Sequence, residues 1–68
     1  MLHTELELTN APFSMLMVLV GEIAVRCGVS IDDVLGVTPK QYKALSVEDR
    51  RQMFIEAILE DQEPKGGS

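Results

Sequence analysis

The stretch Met15-Leu-Met-Val-Leu-Val20 decides the fold: six apolar residues in succession, inside a longer apolar run from Ala11 to Cys27. Six consecutive side chains on a helix point in every direction around its axis, so this segment cannot be the half-wet helix of an ordinary small domain. Asn10 and Pro12 supply a helix start, an acceptor for the orphan N–H groups followed by a residue that lacks one. Gly28 supplies the stop, since glycine readily takes the left-handed conformation that closes helices. Between these limits Glu22 and Arg26 form an i,i+4 pair in the favourable order and mark a narrow wet stripe. Phe13, Leu16, Met17, Val20, Ile23, Ala24 and Cys27 fall opposite it. Val18 and Val25 widen the apolar surface on one flank and Leu19 on the other.

On the C-terminal side, start and stop signals follow closely. Ser30 caps a predicted short helix from Ile31 to Leu35, with Asp32 and Asp33 in its first turn and Gly36 after it. Thr38-Pro39-Lys40-Gln41 is a capping box that opens a helix of about two turns, to Leu45. Ser46-Val47-Glu48-Asp49 opens a last helix predicted to reach about Glu60. Val47, Met53, Phe54, Ala57 and Ile58 share one face of that helix, while Ile55 and Leu59 form a second apolar stripe. Such a helix either crosses the core or offers its second stripe to another chain.

On the N-terminal side, Leu2 to Thr9 alternates apolar and polar residues, the period of a strand, and no second strand exists to pair with it. Pairing with its own copy across a two-fold axis, an extended arm and an extra helical turn are the alternatives. Residues 1–10 are therefore expected to be an N-terminal arm or strand, residues 11–60 a helical domain and residues 61–68 a disordered tail. The fold class is all-α: a small four-helix domain with a long apolar first helix.

Size and composition bound what this domain does. At 68 residues with one cysteine and one histidine, it has no internal disulfide and no zinc-ligand spacing, so oligomerisation is the expected source of extra stability. A net charge of −5, from 6 basic and 11 acidic residues, opposes binding to nucleic acid or an anionic membrane. The apolar run is shorter than the roughly 20 residues that span a bilayer, and Glu22 and Arg26 close it. With Glu5 and Glu7 and no basic residue in the first ten, a secretory leader is not expected, and the location is read as cytoplasmic.

The stretch Glu22-Ile-Ala-Val-Arg-Cys-Gly-Val-Ser-Ile-Asp-Asp-Val-Leu-Gly36 resembles helix-turn-helix regulators of the phage lambda repressor and Cro type. In one placement Ala24, Gly28, Val34 and Val37 match the small residue, turn glycine and apolar positions of the DNA-binding bihelix. In the other, the run from Cys27 to Gly36 matches the closing helices of that five-helix domain. The second fits the chemistry better, because the first puts Asp32 and Asp33 on a recognition helix without Arg, Lys, Asn or Gln. It implies the packing end of such a domain without its DNA-reading end.

No residue set carries catalysis. His3 lacks a positioned partner in sequence, Cys27 sits at a helix C-terminus where the dipole disfavours the thiolate, and the glycines are isolated. Neither a cofactor nor a metal is expected. The chain reads as a non-enzymatic, acidic, homodimeric protein-interaction module. The setting envisaged is an accessory, regulator or inhibitor protein of a phage or mobile element that binds a host or regulatory protein. Its expected oligomer or partner interface is Phe13, Met17, Val20, Ala24, Ile55 and Leu59. The alternative is a small helix-turn-helix transcriptional regulator, with Lys40, Lys43, Arg50 and Arg51 as its phosphate contacts.

Overall fold

In the computed structural model, residues 3–62 are described and form five helices, α1 (Glu5–Thr9), α2 (Phe13–Cys27), α3 (Ile31–Leu35), α4 (Pro39–Ala44) and α5 (Val47–Gln62). Local chemistry starts α3, α4 and α5 and ends α2 and α3. Ser30, Thr38 and Ser46 accept from the backbone N–H three residues on, at 3.2, 3.1 and 3.1 Å. Gln41 completes the Thr38 capping box. Gly28 and Gly36 take positive φ, 72° and 76°, and close α2 and α3. The final helix runs on through Asp61 and Gln62, so these two residues belong to α5 and not to the predicted tail. Residues 63–68 lie outside the described residues.

The described residues hold one helix more than the four expected, and it stands where a strand, an arm or an extra helical turn were the alternatives. Thr4 caps α1 through a full capping box with Glu7, so the chain turns helical there in spite of its alternating pattern. A five-residue helix is not stable alone. Here α5 holds both its ends. At one end, the guanidinium of Arg51 donates to the carbonyls of Thr9 and Leu8, at 2.7 and 3.4 Å. At the other, the Gln62 side-chain amide accepts from the His3 N–H at 2.6 Å and donates to the His3 carbonyl at 2.8 Å. The start of α1 thus meets the end of α5, and the two helices run antiparallel. Arg51, Ile55, Ile58 and Gln62 recur at helical spacing along the face of α5 that α1 covers. Ile55 therefore belongs to the chain's own core, and α5 crosses that core instead of presenting a second stripe outward.

The core lies between α2 and α5. Leu8, Leu16, Val20, Phe54, Ile55 and Ile58 are almost wholly removed from water. Phe54 is its centre: the Phe13 ring lies 5.1 Å away at a 54° tilt, and the Tyr42 ring stacks at 6.2 Å on another side. Arg50 lies over the outer face of Tyr42, 4.7 Å from its centroid, and donates to the carbonyls of Tyr42 and Lys43, both at 3.1 Å. All three aromatic residues of the chain stand in this one stack. Val34 and Leu35 of α3 pack against the core beside it.

Two expectations about local pairing are corrected. Asn10 does not cap α2; it closes α1, its side chain donating to the Leu6 carbonyl at 2.9 Å. Arg26 pairs with Asp61 at 2.9 Å and not with Glu22, because the end of α5 comes alongside.

Leu8 tests the docking of α1. Leu8→Ala is expected to cost about 2–5 kcal/mol, the range for emptying a buried leucine site. A urea titration reads it. An α1 that only rests on the surface would cost under about 0.5 kcal/mol.

Candidate functional site

Helix α2 has two apolar sides, and the described residues cover only one. Leu16, Val20, Ile23 and Ala24 face inward and are buried. Ser14, Met17, Val18 and Val25 face outward, with Val18 59 % and Val25 84 % exposed. A β-branched side chain so open to water contributes nothing to the protomer's own core, and two of them on one face make an unpartnered apolar strip. Between them lies Gly21, at the bottom of an open depression of about 600 Å³ walled by Val18, Val25 and the stems of Glu22 and Arg26.

Gly21 is not needed by the fold. Its φ is not positive, and a Cβ built on it would meet nothing within 4 Å. Mid-helix glycine is about 0.8–1 kcal/mol less favourable than alanine. The cost is borne where a close approach from outside the protomer would benefit from it.

Of the expected interface positions, only Met17 stands on this open side, 49 % exposed. Val20, Ala24 and Ile55 are inside the protomer's core. Phe13 and Leu59 are partly buried and pack against it. The outward face is therefore rotated from the expected one: its centre is Val18 and Val25, which the spacing predicts for a flank, with the isolated Gly21 between them. Their signal was present in the spacing of Ser14, Val18, Gly21 and Val25 at four, three and four residues.

The four basic candidates do not form a common patch. Arg50 and Arg51 are held by backbone carbonyls of α4 and α1 respectively. Lys40 and Lys43 remain exposed on α4.

A second concavity, of about 440 Å³, lies between the start of the chain, α2 and the end of α5, over an apolar floor of Leu19, Ile23 and Ile58. The Arg26–Asp61 pair stands at its rim, and hydrogen bonding and charge from Asp61 raise the guanidinium above its ordinary pKa. His3 Nδ1 is 3.5 Å from Glu7 Oε1 and makes no hydrogen bond. The titratable side chains that line this cleft are His3, Glu22, Arg26 and Asp61, and among the described residues no serine, threonine or cysteine joins them. Cys27, expected in the core, is exposed at the end of α2. Among the described residues no group of three His, Cys, Asp or Glu stands close enough to hold a metal ion, and no helix is long and apolar enough to cross a membrane.

No protein-family model matches the chain, and searches of curated proteins and of solved structures return no match either.

The glycines separate the fold from the surface. Gly21→Ala is expected to stabilise the protomer by about 0.5–1 kcal/mol, whereas Gly28→Ala, at positive φ, is expected to cost about 1–2 kcal/mol. Urea unfolding at low micromolar concentration measures both. Destabilisation by Gly21→Ala would show that the protomer itself needs the glycine.

Proposed function

We propose that this chain is a non-enzymatic protein-interaction module, a homo-oligomeric accessory or inhibitor protein that acts by binding a partner protein. The observation that carries the reading is the outward face of α2, an exposed apolar strip on a helix whose other side is already in the core. A soluble domain gains nothing from such a strip unless another protein surface covers it. The setting suggested is that of a phage or mobile element, where a small acidic protein of this kind engages a host or regulatory protein. The net charge of −5 would steer it toward a basic surface on that partner.

The same chain as a helix-turn-helix regulator would need free cations facing phosphate. Arg50 and Arg51 already donate to backbone carbonyls, which leaves Lys40 and Lys43 against an acidic molecule. Protein docking is the better-supported reading.

A photo-crosslinking amino acid placed at position 18 or 25, in cells that express the protein, tests it. Protein adducts are expected at both positions and not at the exposed Glu48 of α5. Equal labelling at all three sites, or none at any, would refute a docking role for α2.

A further inference from the structure

We infer that the occupant of the α2 face is a second copy of the same helix, laid antiparallel, with Val18 of each copy seated on Gly21 of the other. This deepens the docking role proposed above and rests on it. Three features of the chain lead there.

The first is rhythm. Ser14, Val18, Gly21 and Val25 repeat at four, three and four residues on the open side of α2. That is the a/d spacing of a two-helix seam, in which side chains insert as knobs into holes on the facing helix. Leu16, Val20 and Ile23 on the opposite side hold the helix to its own core, so the seam is presented rigidly.

The second is Gly21. No described residue comes within 4 Å of the position a Cβ would take, yet the residue sits at the centre of the exposed strip with an open depression above it. Missing side chains at helix seams let two backbones come close and leave a socket for a facing side chain.

The third is reciprocity, and it selects the partner. Along the seam the residues alternate small, large, small, large: Ser14, Val18, Gly21, Val25. Laid antiparallel on an identical helix about a point between residues 19 and 20, each large residue meets a small one. Val18 then faces the other copy's Gly21, and Val25 faces its Ser14. A parallel pair would set valine on valine and glycine on glycine, leaving a void at each glycine level. An unrelated partner requires no such internal symmetry, whereas a two-fold dimer does, because the same patch serves on both sides.

Charge agrees with this choice. From Phe13 to Val25 the only charged residue is Glu22, so two chains that each carry −5 meet along a nearly neutral strip. The antiparallel arrangement also sets the helix dipoles in opposition, which is favourable. Three turns of helix make a seam at the small end of specific interfaces. The dimer is accordingly expected in the micromolar range, and it should tighten as salt screens the repulsion between the two acidic bodies.

Cysteine trapping in the full-length chain decides the matter. In a Cys27→Ser background, the double variant Ser14→Cys/Val25→Cys is expected to form a disulfide-linked dimer under mild oxidation, with bridges mapped by peptide mass spectrometry between position 14 of one chain and 25 of the other. Either single cysteine is expected to stay monomeric. In parallel, sedimentation equilibrium should show Gly21→Leu weakening self-association of the otherwise native chain at least tenfold, with its circular dichroism unchanged. Efficient trapping of Val25→Cys alone would mean a parallel pair, and unchanged association of Gly21→Leu would mean another interface. Either result overturns the inference, as does a wild-type chain monomeric at several hundred micromolar. If such a monomer still crosslinked other proteins through positions 18 and 25, the dimer would fall and the docking face would stand.

Discussion

The contact between α2 and α5 is the interaction on which the rest of the molecule depends. A fifteen-residue helix with apolar side chains on nearly all sides needs cover, and a 68-residue chain has little to give. The chain concentrates its bulky residues where they do most. Phe54 projects from α5 into the angle between Phe13 and Tyr42, and the aliphatic residues of both helices close around it. Each of the smaller helices is then placed by what remains uncovered. Helix α1 lies along α5 through Leu8, α3 brings Val34 and Leu35 to the side, and α4 exists mainly to deliver Tyr42. With these in place, one side of α2 is left uncovered by the described residues.

The use of arginine follows from the same shortage. Short helices end in unsatisfied carbonyls, and neither α1 nor α4 is long enough to be stable without help at its end. Arg51 reaches the last carbonyls of α1, and Arg50 reaches those of α4 while lying on Tyr42. Adjacent positions on α5 thus hold two different helices, because successive residues on a helix point about 100° apart. Exposure on the sequence suggested a pair of free cations; the fold makes them structural.

The helix boundaries were legible in the sequence because they are set locally. Ser30, Thr38, Ser46, Gly28 and Gly36 act through bonds to residues within a few positions, and each acts as its type predicts. The first helix was legible only as one alternative to a strand or an arm, although its signal was of the same kind. Thr4 and Glu7 form the same box as Thr38 and Gln41, but the alternation of Leu6 and Leu8 with Glu5 and Glu7 suggested a strand. What decided between them lies more than forty residues away, in Arg51 and Gln62, and no local rule reports it. The same non-local contact explains Ile55, which looked surplus only while its covering helix was unrecognised.

The orientation of α2 about its own axis was the least legible feature, and the reason bears on function. A helix with a strong polar face fixes its rotation through that face. Here Glu22 and Arg26 mark only a narrow stripe, and Arg26 is drawn off to Asp61, so polarity leaves the rotation open. Packing decides instead: Leu16, Val20, Ile23 and Ala24 are buried, and Ser14, Met17, Val18 and Val25 are turned outward. That choice leaves a strip of serine, valine and glycine on the outer side, with Met17 beside it. Small residues are poor material for a buried core and well suited to close approach between two helices. The selection that builds the protomer therefore also grades the exposed side into a shallow, uncharged surface, while the acidic residues gather elsewhere. A contact made on the apolar strip and a contact made by charge would then use different surfaces of one small molecule.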